Sequence, residues 1–139
     1  MAINIRPAGP ADEADVVALW HGCGLVVPSN DPVADFRFAR DGDGSDVLVG
    51  ADEAGALVGS VMVGHDGHRG WLYYVAAAPQ ARGTGVGRRM VEAAEAWLRA
   101  RGVVKAQLLV RDTNTAVVSF YEHLGFEVAP RVVLGKRLE

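Results

Sequence analysis

The chain is poor in several things, and each shortage removes a class of function. It has one cysteine in 139 residues, Cys23. A single thiol excludes an intramolecular disulfide and any zinc site built on cysteine pairs, and it suits a reducing compartment. The four histidines, His21, His65, His68 and His123, lack H-E-x-x-H spacing, so no metal is expected. No G-x-S-x-G is present, which disfavours a serine hydrolase. No apolar run approaches the roughly 20 residues of a membrane span. The first ten residues lack a basic stretch followed by an apolar core, so no signal peptide is expected. The net charge is only −3, which gives no whole-chain field for a nucleic acid or an anionic membrane. There is no repeat, linker or low-complexity stretch. The expectation is a cytoplasmic protein of one domain, residues 1–139.

What remains is an apolar chain, 50% hydrophobic and 22% charged, with 17 glycines. A domain of this size buries roughly two thirds of its unfolded surface and needs no staples. Ile3 and Ile5 alternate with polar neighbours as a first strand. A helix follows from Asp12 through Val16, Leu19 and Trp20, stopped by Gly22 and Gly24. Asn30 or Asp31 before Pro32 opens a second helix through Phe36 and Phe38. Strands are expected at 47–49, 56–63 and 71–77, joined by turns at 52–55 and around Asp66-Gly67. A long helix then carries Val86, Met90, Ala94 and Trp97 on one stripe and ends at Arg101-Gly102. Residues 106–110 read as a strand. Val117, Phe120 and Leu124 mark a short helix closed by Gly125. Residues 126–128 and 132–138 read as two final strands. The order is βααββββαβαββ, with one fewer strand if neighbouring boundaries merge, and the class is α/β.

Gly83, Gly85 and Gly87 alternate where a strand turns into the longest helix. A helix N-terminus leaves N–H groups unpaired and carries partial positive charge. Glycine lets such a backbone approach an anion closely. Arg82, Arg88 and Arg89 oppose the helix dipole at a cost of about 0.3–1 kcal/mol each when exposed. An anion reverses that sign. A bland reading, tight packing with solvated arginines, is weaker. G-x-G-x-x-G fails, because Arg88 or Met90 stands where the third glycine belongs, and no acid follows about 20 residues on. The P-loop pattern fails too, since the only Gly-Lys pair is Gly135-Lys136 near the chain end.

The pattern that fits is R-x-x-G-x-G, as Arg82-x-x-Gly85-x-Gly87, after a strand and Pro79 and before an amphipathic helix. Here the sequence resembles the GNAT superfamily of N-acetyltransferases, whose pyrophosphate loop for acetyl-CoA has this form. A second landmark agrees: Asn114, then Tyr121-Glu122-His123-Leu124-Gly125-Phe126. Asn30-Asp31-Pro32, Asp66-Gly67-His68-Arg69-Gly70 and Leu134-Gly135-Lys136-Arg137-Leu138 look like the YpeA type of small bacterial acetyltransferase. The resemblance implies a mixed, mostly antiparallel sheet of six to seven strands, about four helices and splayed central strands. It implies acetyl transfer to a primary amine by direct attack, the acceptor being a small molecule or a protein amino group.

Under that resemblance the cofactor-binding residues are Arg82, Gly83, Thr84, Gly85, Val86, Gly87 and Arg88, with the main chain of Val75 and Ala77 along the pantetheine arm and Asn114 beyond. Tyr121 matches the acid that protonates the leaving thiolate, its phenol being protonated at neutral pH. Many members carry a glutamate where Trp71 stands. The base or a substrate contact then falls to Asp66 or His68 in the preceding turn. Plainer readings stand beside these: Tyr121 as a core tyrosine, Asn114 as a helix cap, Asp66-Gly67 as a hairpin turn with His68 exposed. Asp31 and Asp35 could attract a cationic amine or serve as caps. A monomer or a homodimer fits equally, and a non-catalytic acyl-CoA-binding module is the rival function.

Overall fold

Proline, glycine and aspartate punctuate the first half of the chain, and the elements fall between them. In the computed structural model, which describes residues 1–139, β1 spans Asn4–Pro7 and leads into a 3-10 turn at Pro10–Asp12. Asp12 accepts the Gly9 N–H at 2.8 Å and the Arg6 guanidinium at 2.7 and 3.0 Å, which ties the end of β1 to α1 (Glu13–Gly22). Asp31 caps α2 (Pro32–Asp41) by accepting the N–H groups of Val33 and Ala34 at 3.0 and 3.2 Å. Proline in the first helical turn loses no bond there. Strands β2 (Ser45–Ala51), β3 (Leu57–His65) and β4 (Gly70–Ala77) follow as hairpins. Asp52 closes the first turn through the N–H groups of Ala54 and Ala56.

The chain forms two compact units, residues 1–109 and 110–139. The first also holds α3 (Val86–Arg99) and β5 (Ala106–Leu108). Its sheet runs β1-β2-β3-β4-β5, antiparallel except for the parallel β4–β5 pair. Side chains alternate across a strand, so Val61 and Val63 share the face that α3 covers, while Val58 and Ser60 face α1 and α2. All four are buried. Three glycines bring α3 close to the sheet. A Cβ at Gly50 would lie 3.0 Å from Met90, at Gly59 2.7 Å from Val86, and at Gly70 2.5 Å from Leu98. Glycine at these sites answers to helix–sheet packing rather than to turns.

The second unit holds α4 (Thr115–His123), which ends on Gly125 at φ +94°. Beyond it the expected strands at 126–128 and 132–138 are absent. The sheet therefore has five strands, not six or seven, and β5 stops at Leu108 rather than 110. The cause lies in what side chains report. Valine and leucine signal a pleated, half-buried surface, but a strand forms only where its N–H and C=O groups meet a ladder. Val128, Val132, Val133, Leu134 and Leu138 are all exposed.

Candidate active site

Strand β4 is paired on both edges for only three residues. Gly70, Trp71 and Leu72 pair with Ala106, Gln107 and Leu108 of β5. From residue 73 onward no strand pairs on that edge, an opening that suits β-strand addition by an extended ligand; the Ala77 carbonyl there accepts from Cys23 Sγ at 3.3 Å. The opposite edge is irregular as well. Met62 pairs with Tyr73 and Ser60 with Ala76, which leaves two β4 residues, Tyr74 and Val75, opposite Val61. This is a β-bulge, which leaves the extra residue outside the ladder.

The bulge places Tyr74 at φ +50°, the one non-glycine residue with positive φ. That conformation costs roughly 1–2 kcal/mol for a residue with a Cβ. Surrounding contacts offset it. The Tyr74 ring stacks on Trp20 at 3.9 Å between centroids and 12° between planes, an arrangement worth about 0.5–1.5 kcal/mol beyond burial. Its hydroxyl donates to Asp35 Oδ2 at 2.7 Å. Its carbonyl accepts from Ser60 Oγ at 3.2 Å, and Ser60 Oγ in turn accepts from Trp20 Nε1 at 2.9 Å. Burial, then the hydrogen bond and charge of Asp35, push the Tyr74 phenol well above its ordinary range.

The chain leaves β4 through a 3-10 turn, Pro79–Ala81, and the Thr84 hydroxyl donates to the Ala81 carbonyl. Gly83 and Gly85 follow at φ +78° and +86°, and Gly85 is the N-cap of α3. Nothing lies within 4 Å of a Cβ built on either. Backbone conformation and open approach, not packing, therefore account for these two glycines. No side chain caps α3, so the first-turn amides of Val86, Gly87 and Arg88 lack an intrahelical acceptor. Arg82 and Arg88 are exposed. Arg88 reaches only Glu92, at 3.8 Å, and Arg89 donates to the Ile3 carbonyl at 3.4 Å. Orphan amides, an uncompensated dipole and exposed cations suit a diphosphate.

Asp66 and His68 lie at the other end of β4. Seven residues separate Gly70 from Ala77, about 23 Å at 3.3 Å per residue, so the structure does not gather them with the glycine loop. Asp66 Oδ1 accepts the N–H groups of His68 and Arg69 at 2.9 and 2.7 Å, and Oδ2 accepts Trp71 Nε1 at 3.2 Å. These bonds, the Arg69 N–H foremost, lower its carboxyl to about 2. His68 is exposed. A hollow of about 290 Å³ beside them is lined by Ser45, His65, Asp66, Trp71 and Tyr73, among others.

In the second unit, Asn114 occupies the N-cap position of α4, yet its side chain makes no capping bond. Tyr121 meets Phe120 and Phe126 edge-on at 5.0 and 5.6 Å. Burial raises its phenol to about 12. Four residues around the bulge carry no recognisable motif: Trp20, Asp35, Ser60 and the main chain of Tyr74. Asp35 is visible in the sequence as a candidate contact for a cationic amine, and Ser60 as a lone hydroxyl within the apolar run of residues 57–63.

A sheet splayed beside a bulged fourth strand, with a glycine loop opening the next helix, defines an acyl-CoA-dependent acyltransferase of the GNAT fold. Residues 15–126 match the Acetyltransferase (GNAT) family, and the chain belongs to that family, with acetyl-CoA as the cosubstrate its motif implies. It is similar to Acetyltransferase YE1169 of Yersinia enterocolitica, 41% identical over 98% of this chain and 96% of the relative. Acetyltransferase SG1711 of Sodalis glossinidius is 43% identical over the same shares. In fold it resembles AAC(6')-Iy, solved in complex with the bisubstrate analogue CoA-S-monomethyl-acetylneamine, with a TM-score of 0.84, 17% identity and 99% of each chain covered. No helix is long and apolar enough to cross a membrane.

Proposed function

We propose that the protein transfers the acetyl group of acetyl-CoA to a primary amine by direct attack within a ternary complex. The observation that carries this is the free edge of β4 after Leu72, which leads directly to the uncapped start of α3. The amides of residues 83–88, with Arg82 and Arg88, hold the diphosphate. The main chain of Val75 and Ala77 pairs with the pantetheine arm. The Val75 N–H, outside the ladder, polarises the thioester oxygen. Bound acetyl-CoA supplies an activated acyl group. Asn114, its side chain free of capping, contacts the cofactor.

Tyr121 donates a proton to the departing thiolate. A phenol raised to about 12 is fully protonated at neutral pH. Asp66 and His68 act as acceptor contacts. A carboxylate lowered to about 2 is a poor proton acceptor for an ammonium of pKa about 10.4, but it keeps its charge for a cation. Residues 1–139 act as one acetyltransferase domain in the cytoplasm, of the YpeA type, as a monomer or homodimer. The family match across both compact units supports the single domain.

Thermal unfolding with ligands tests the cofactor. At 100 times Kd, acetyl-CoA should stabilise by about 2.7 kcal/mol, or about 10 °C in a domain of this size, while NAD and ATP should not. Equal shifts from all three would remove the assignment. The substitution of Trp71 for the usual glutamate favours one rival, a non-catalytic acyl-CoA-binding module. Thiol release from acetyl-CoA, scanned over polyamines, aminoglycosides and peptide amines, separates the two. Binding of acetyl-CoA without thiol release, whichever amine of the panel is added, would favour the rival.

A further inference from the structure

We propose that Ser60 and Trp20, neither of which touches the reacting groups, are positioning residues that aim the Val75 N–H at the acyl carbonyl by holding the carbonyl of Tyr74. The inference rests on the acetyl-CoA reading above.

The argument is one of peptide geometry. The C=O of Tyr74 and the N–H of Val75 belong to one planar trans peptide and point in opposite directions. Whatever orients the first orients the second. In a regular strand the ladder would do this. Here the register breaks between Ser60 and Met62, and Tyr74 and Val75 share the place of one residue opposite Val61. The orienting partner is instead Ser60 Oγ, which donates to the Tyr74 carbonyl at 3.2 Å. A hydroxyl has one proton to give. Trp20 Nε1 occupies the acceptor side of Ser60 Oγ at 2.9 Å and so commits that proton to the carbonyl. Ser60 and Trp20 are both fully buried, which keeps water from competing for either bond.

A purely structural role explains this arrangement less well. Ser60 is the only buried polar residue of the core, and burying a hydroxyl is unfavourable unless it is bonded. Alanine in its place would leave the buried Trp20 N–H without its acceptor and the Tyr74 carbonyl without its donor. The serine's one donated bond goes to the carbonyl of Tyr74, one of the two residues that share the place opposite Val61. The Tyr74 ring, stacked on Trp20 and bonded to Asp35, holds the same residue from its side chain. The bulge is thus fixed through its carbonyl, its ring and its hydroxyl, and the Val75 N–H is the group left to face away from Ser60.

The test uses acetyl-CoA labelled with ¹³C at the thioester carbonyl and needs no acceptor. Bound to the wild-type chain, the carbonyl resonance should move downfield, as polarisation by an N–H requires. In Ser60→Ala the displacement should fall by about half or more, while Kd for CoA changes less than about threefold. Ser60→Thr, which keeps the hydroxyl, should restore it. Trp20→Phe keeps a stacking ring, loses the N–H and should give an intermediate displacement. Full displacement in folded Ser60→Ala, or its loss in folded Ser60→Thr, overturns the proposal. If Ser60→Ala does not fold, full displacement in Trp20→Phe overturns it. Absent binding, or an unmoved carbonyl, in the wild-type chain would defeat the acetyl-CoA reading itself and the positioning role with it.

Discussion

Replacing Gly59 with alanine should damage the cofactor site from beneath the start of α3. The new methyl would lie 2.7 Å from Val86 Cγ1 and 3.0 Å from Met90 Cγ. Carbon atoms pack at about 3.5–4.0 Å. Met90 can bend along its flexible chain, but Val86 is β-branched and stiff at χ1, and it is the first residue of α3. The first turn must therefore lift by about 1 Å. Overpacking of this kind costs about 1–3 kcal/mol, or roughly 4–12 °C in melting temperature at about 4 °C per kcal/mol for this size. The same lift moves the orphan amides of Val86, Gly87 and Arg88, so acetyl-CoA affinity should fall as well, by about tenfold for each 1.4 kcal/mol lost. Calorimetric melting and titration calorimetry read the two effects separately. Gly22→Ala is the control, because that position has ordinary φ and nothing within 4 Å. It should be neutral or stabilise by about 0.4–1 kcal/mol. A Gly59→Ala protein that melts within about 2 °C of wild type would refute the close-packing argument. One that is destabilised yet binds acetyl-CoA as tightly would refute the link from the sheet to the loop.

Gly85→Val should cost at least about 1–2 kcal/mol, because φ +86° is a left-handed conformation, and it should abolish the acetyl-CoA thermal shift; a shift equal to wild type would remove the loop from the site. Tyr121→Phe should lower turnover by about 10²-fold, within the usual range for a general acid, with little change in CoA affinity; undiminished turnover would end its acid role. With its phenol raised to about 12 by burial, wild-type Tyr121 should cause no loss of activity between pH 7 and 10. Any stability gained from its neutral form is complete below about pH 10 and is lost as pH rises through about 12. Asp12→Asn should cost about 1 kcal/mol at pH 7, the figure for a partly exposed pair. The Arg6 hydrogen bond holds the Asp12 carboxyl below its ordinary range. Its stabilisation is therefore present above about pH 4 and fades as pH falls through the lowered value, so denaturant melts of wild type and Asp12→Asn should draw together as the carboxyl protonates.

Local signals carried the sequence reading where one residue acts on its neighbours, and failed where a contact crosses the sheet. The alternation of Gly83, Gly85 and Gly87 located the start of α3 because a helix start is a local event. Asp31-Pro32 located α2 for the same reason. Gly50, Gly59 and Gly70 carry no local sign of their role; each is needed because Met90, Val86 or Leu98 passes overhead, and that proximity depends on chain 20 to 40 residues away. The strands expected at 126–128 and 132–138 failed on the same ground: valines announce a surface, and only a neighbouring ladder makes it a strand. The bulge shows the limit most clearly. Tyr73-Tyr74-Val75 reads as ordinary strand, and nothing in those three residues announces φ +50° at the middle one. The contacts that hold it come from Ser60, fourteen residues earlier, bonded to Trp20, forty residues earlier still. Ser60 was nevertheless visible as a polar residue in an apolar strand. A buried hydroxyl must find partners, so such a residue points to a place where the backbone departs from its ladder. In this chain that place is the bulge of β4 at Tyr74 and Val75.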